Sequence, residues 1–212
     1  PFGGAALSAR FAVALLSVAL LAGCAGKEGP AKEAAVSDVP AYGDAIIEGS
    51  IGDVSGFLTA VTSDSASHEA AGYVFNGLVR YDKNLKLEGA LAESWNISPD
   101  GRKITFHLRK GVKWHDGAPF TSEDVLFTYK KIIDPKTPTA YAEDFKQVKR
   151  ASAPDPHTFV AEYDRPFTPA LASWGMDILP KHLLENYPDI SRSPLNKKPV
   201  GTGPYRFVEW KT

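Results

Sequence analysis

The clearest pattern along the chain lies at residues 103–109, where Ile104, Phe106 and Leu108 alternate with Lys103, Thr105, His107 and Arg109. Side chains of a strand point alternately to its two faces, so this period predicts a sheet with one buried face. Ser98-Pro99-Asp100-Gly101 just before it is a turn in which Pro presets φ and Gly accepts a positive φ. Trp95-Asn96-Ile97 is then the hairpin partner. A second hairpin is expected from residues 79–81 and 85–87 around Asp82-Lys83-Asn84. A third surrounds Pro154-Asp155-Pro156-His157, with Phe159, Ala161 and Tyr163 alternating after it. Residues 45–48 are a short strand candidate, and Tyr205-Arg206-Phe207-Val208-Glu209-Trp210 an alternating strand after the sharp turn Gly201-Thr202-Gly203-Pro204.

Helical periods interleave with these strands. Asp64 or Ser65 can cap a helix in which Ala70, Ala71, Val74, Phe75 and Leu78 recur on one face. Thr121-Ser122-Glu123-Asp124 resembles a capping box with Asp at its fourth position, and Val125, Leu126, Tyr129, Ile132 and Ile133 make the stripe that follows. Pro135 stops that helix. Thr168-Pro169 and Leu179-Pro180 mark the starts of two short helices, and the proline-rich residues 187–199 read as an irregular loop.

Composition places this mixture among folded chains. Of 212 residues, 43% are apolar and 23% charged, which is too apolar for a disordered polypeptide. With 24 basic against 25 acidic residues there is no global basic field to hold a polyanion, so nucleic acid is not an expected partner. The single cysteine, Cys24, rules out an intrachain disulfide and any metal site built on a cysteine pair.

The position of Cys24 carries information of its own. Residues 11–22 form an uncharged Ala/Leu/Val-rich run after Arg10, the layout of an export signal, and too short for a span that needs roughly 20 apolar residues. The run ends in Leu21-Ala22-Gly23-Cys24, which looks like the lipobox of bacterial lipoproteins, whose thiol accepts a diacylglycerol before cleavage. The expected organisation is therefore a signal peptide over residues 1–23, a lipid-anchored flexible linker over 24–43, and a body from 44 to 212. Because the chain begins with Pro1 and stops just after a half-buried strand pattern, both ends are expected to be cut short.

Enzyme signatures are missing from the sequence. It contains no Gly-x-Ser-x-Gly elbow, His-Glu-x-x-His, Walker loop or dinucleotide Gly-x-Gly-x-x-Gly. The five histidines, His68, His107, His115, His157 and His182, are scattered, with no i,i+4 pair to hold a metal. Trp114-His115-Asp116-Gly117 pairs a histidine with an aspartate, but Asp-Gly is a turn signal and strand neighbours point to opposite faces, so a turn is expected there. Glu123 and Asp124 stand at a helix start, where negative charge suits the dipole; they are caps and not a catalytic pair.

Several motifs in register carry a resemblance. Phe75-Asn76-Gly77-Leu78, Ala90-Leu91-Ala92-Glu93-Ser94-Trp95, the run from Ile104 to Gly117, Phe120-Thr121-Ser122-Glu123-Asp124-Val125 and Gly201-Thr202-Gly203-Pro204-Tyr205-Arg206-Phe207 resemble the peptide/nickel family of bacterial extracellular solute-binding proteins, family 5. The resemblance implies an α/β, periplasmic-binding-protein-like fold of two lobes, of which this chain holds the N-terminal part, a mixed sheet with flanking helices. It implies the receptor of an ABC importer, which captures peptides outside the cytoplasmic membrane and hands them to permease subunits, with no cofactor and no catalysis. It further implies a monomer in the periplasm or extracytoplasmic space, bound to the membrane through its lipid. Nickel chelates, sugars and opines are handled by relatives on the same scaffold, and a lipid-anchored hydrolase or a sensory lipoprotein are the other readings. By the same resemblance the ligand meets Ser63 and Ser65, whose main chain would pair with an extended peptide, and Tyr141 as a wall that stacks and hydrogen-bonds. The carboxylate that receives a peptide's α-amino group in such relatives belongs to the other lobe.

Overall fold

The computed structural model describes residues 47–211. Its centre is a four-stranded sheet of order β3-β4-β6-β5, formed by β3 (Ala92–Ile97), β4 (Lys103–Leu108), β5 (Val148–Asp155) and β6 (Thr158–Tyr163). A separate ribbon pairs β1 (Val79–Tyr81) with β2 (Leu87–Gly89). The expected combination of sheets with flanking helices is present. Where a mixed sheet was expected, every pairing among the described strands is antiparallel.

The alternation in β4 and β6 does what its period requires. Ile104, Phe106 and Leu108 are buried, as are Phe159, Ala161 and Tyr163, and the register sets Ile104 opposite Ala161 and Phe106 opposite Phe159. One face of the central strands is thus apolar throughout. Helix α2 (Ser122–Ile132) covers it with Val125, Tyr129 and Ile132. Its start is fixed by Asp124, whose carboxylate takes the Thr121 amide at 2.9 Å and also the Lys181 amide at 3.0 Å. One side chain therefore caps its own helix and ties it to α5 (Lys181–Leu184).

Trp174 closes the core from the far side. It is fully buried at the end of α4 (Ala170–Ser173), with ring centroids 4.7 Å from Phe159, 5.1 Å from Phe145 and 5.9 Å from Phe106. Its indole N–H donates to the Tyr163 hydroxyl at 2.9 Å, so the polar atom of a large buried ring is satisfied. Burial pushes the Tyr163 hydroxyl up to about 12.

Several sequence expectations shift in detail. Helix α1 (Ser65–Val74) is capped by Asp64 but ends before Phe75 and Leu78, which are buried outside the helix. The Phe75 amide still bonds Ala71 O, after which the chain leaves extended, because Asn76-Gly77-Leu78 pairs with residues 174–178 instead. The turn of the β1–β2 ribbon is longer than three residues: Asp82 accepts the amides of Asn84 and Lys86, and Leu85 lies in the left-handed region at φ 59°. Helix α3 (Ala142–Phe145) was not foreseen. Residues 187–199 are irregular apart from two 3₁₀ turns, Ile190–Arg192 and Pro194–Asn196.

Two expected strands are corrected. Ile47 and Glu48 are exposed coil, and residues 45 and 46 lie outside the described residues. Residues 205–210 form no ladder, because a strand needs a partner edge and this segment pairs with none of the described strands. The leader, Cys24 and the linker over residues 24–43 lie outside the described residues.

Candidate ligand-binding site

The segment Phe75-Asn76-Gly77-Leu78 is the organising piece of backbone around the site. The Leu78 amide donates to Trp174 O at 2.8 Å and the Ile178 amide to Asn76 O at 3.0 Å, which lays residues 76–78 alongside 174–178. Gly77 has to be glycine, since a Cβ there would stand 2.4 Å from the Gly175 carbonyl oxygen. This contact brings the loop after α4, with Met176 and Asp177, up to the side of α1.

A cavity of about 230 Å³ opens between them, lined by Thr59, His68, Ile132, Tyr141, Asp177 and the glycines 72 and 175 among others. Its polar groups are few and tightly specified. The Thr59 hydroxyl donates to Asp177 Oδ2 at 2.7 Å. His68 Nε2 lies 3.0 Å from Thr62 O and 2.9 Å from the Tyr141 hydroxyl. A carbonyl oxygen only accepts, so Nε2 carries the hydrogen and Tyr141 Oη accepts from the same N–H. The hydroxyl hydrogen of Tyr141 is left to donate toward the cavity. Desolvation, with the charges of Asp177 and Asp144 next, holds the Tyr141 hydroxyl above its usual value. Burial likewise raises the Asp177 carboxyl, against the opposing pull of Thr59 and His68.

Of the residues singled out in the sequence, Tyr141 stands on this cavity. Ser63 and Ser65 do not line it: both are exposed at the start of α1, and neither amide donates to another described residue. His68, Thr59 and Asp177 were missed, because each lies in an unremarkable stretch and only the fold brings them together. The expected turn at Trp114-His115-Asp116-Gly117 is present, with Gly117 at φ 92°. Its histidine has a further part: Nδ1 accepts the Gly201 amide at 3.3 Å and Nε2 donates to Gly203 O at 2.9 Å. From the other side Asn76 Nδ2 donates to Thr202 O and the Gly203 amide to Val74 O. The Gly201-Thr202-Gly203 loop is thereby gripped by α1 and the His115 turn. Among the described residues no cluster of His, Cys, Asp and Glu is arranged to hold a metal ion, and no helix is long and apolar enough to cross a membrane.

The profile of the bacterial extracellular solute-binding proteins, family 5 (middle part), matches residues 86–212. The chain belongs to this family. It is 34% identical to heme-binding protein A of Haemophilus influenzae over 183 residues, which is 74% of this chain and 33% of that one. It is 31% identical to the oligopeptide-binding protein AppA of Bacillus subtilis, over 95% of this chain and 39% of the relative. The crystal structure of NikZ from Campylobacter jejuni in complex with Ni(L-His) superposes with a TM-score of 0.70 at 34% identity, covering 76% of this chain and 32% of that one. The chain thus spans about a third of the length of these relatives. Its fold is that of a part of a periplasmic binding protein, and the role common to the family is solute binding.

Proposed function

We propose that this family 5 chain is part of the receptor of an ABC importer that captures peptides outside the cytoplasmic membrane and delivers them to permease subunits. The observation that carries the reading is the cavity beside α1, in which Tyr141 offers a hydroxyl hydrogen and Asp177 an acceptor, in a member of a solute-binding family. Apolar walls with a few fixed polar groups suit a small solute. Ser63 lies just before the cap of the same helix and Ser65 is its first residue; neither amide donates to another described residue, and the main chain at Ser63 is the part an extended peptide would pair with. Titration of the full-length protein with a mixed pool of short peptides is expected to change its tryptophan fluorescence. A response to the nickel–histidine complex and none to peptides would replace the substrate class.

The receptor is held at the membrane through Cys24, which directly follows the apolar run of residues 11–22. Cys24→Ser is expected to abolish incorporation of labelled palmitate; labelling that persists in the variant refutes the anchor.

A further inference from the structure

Asp177 is the one acid on the cavity wall, and among the described residues no lysine or arginine pairs with it. Thr59 occupies Oδ2, while Oδ1 has no hydrogen-bond partner and no lysine or arginine makes an ion pair with either oxygen among the described residues. His68, on the same cavity wall, is engaged through Nε2 with Thr62 O and Tyr141. A carboxylate removed from water without a cationic partner is costly, and structural carboxylates are normally paired. Nor is it sealed into the core: residues 72, 175 and 177 also line a second cavity of about 440 Å³ that runs past Asn76, Arg80 and Tyr81. The two spaces meet at Asp177. Arg80 does not serve as its partner, being held at 2.7 Å by Glu88 across the β1–β2 ribbon.

We propose that Asp177 is a specificity-determining residue that receives a cationic group of the ligand, the ammonium or guanidinium of a lysine or arginine side chain. The inference rests on the reading of this cavity as a solute site. Oδ1 accepts an N–H from the cation, Tyr141 donates to a neighbouring carbonyl, and the junction of the two cavities gives a long side chain room to reach the acid. A charge-assisted hydrogen bond in a partly desolvated site contributes enough to separate cationic from neutral ligands by about tenfold or more.

The test is calorimetric titration of the full-length protein with Ala-Arg-Ala, Ala-Gln-Ala and Ala-Glu-Ala, and with agmatine as a cation that is not a peptide. Affinity is expected to fall in the order Arg, Gln, Glu, with at least about a tenfold step between the first two. In Asp177→Asn the Arg-to-Gln ratio should collapse toward one, and Asp177→Glu should restore part of it. The wild-type series decides the matter even if a variant folds poorly. Equal affinities across the three tripeptides overturn the role of Asp177 and leave the peptide receptor standing. Binding of agmatine that is lost in Asp177→Asn, without binding of any tripeptide, supports the cation site and refutes the peptide reading. No binding of any of the four overturns both.

Discussion

At the scale of single residues, two side chains deserve different treatment because their surroundings differ. Trp174 is enclosed by Phe106, Phe145 and Phe159 and satisfies its N–H on Tyr163, so truncation to alanine removes a ring and strands a buried hydroxyl. Trp174→Ala is expected to destabilise by about 3–5 kcal/mol, measured by thermal or urea denaturation, and Trp174→Phe by clearly less. A loss under about 1 kcal/mol for the alanine variant contradicts its place at the core centre. Asp177 is the opposite case, a residue whose charge weakens the fold. Burial raises its pKa above the usual 3.8, with Thr59 and His68 only partly opposing. A carboxyl with a raised folded-state pKa contributes favourably below 3.8 and loses that contribution as pH rises through the folded value. Asp177→Asn, which keeps an acceptor for Thr59, should therefore melt higher than wild type at neutral pH, with the gap closing on acidification. Parallel melting curves across pH would refute this.

Among elements, the loop of residues 201–203 shows how close packing sets identity. A Cβ on Gly201 would stand 1.8 Å from Val74 O, a backbone atom at the end of α1 that cannot move aside cheaply. Gly201→Ala is expected to cost about 1–3 kcal/mol and to increase amide exchange at Gly203 and Tyr205, whose N–H groups bond Val74 and Tyr73. Unchanged exchange at both amides would argue against this packing. The motif is legible in the sequence as a turn, but its partners are not: His115, Asn76 and the Val74 carbonyl at the end of α1 reach it from 86 to 129 residues away in the chain. The helix of residues 65–74 teaches the same lesson. Its apolar period continues into Phe75 and Leu78, yet the helix stops at Val74 because those residues are buried against the 174–178 segment in extended backbone. Periodicity reports burial, and burial alone does not fix the conformation of the last turn.

For the whole molecule, local signals determined most of the scaffold. The alternation in residues 103–109 and 159–163 fixed which faces are buried, the Ser98–Gly101 turn fixed a hairpin, and the Asp124 cap fixed the start of α2, since each depends on residues within a few positions of one another. Family membership, too, was readable from motifs in order along the chain. Tyr141 was legible only through that resemblance. Thr59, His68 and Asp177 were not legible at all, because no local rule joins a threonine, a histidine and an aspartate separated by up to 118 residues. The antiparallel order β3-β4-β6-β5 and the missing ladder at residues 205–210 likewise depended on which edges meet. Sequence by itself determined the periods, turns and caps, whose energies are local. The tertiary structure alone decided the cavity and its carboxylate, which has no ion-pair partner among the described residues, because convergence of distant side chains is a property of the packed chain.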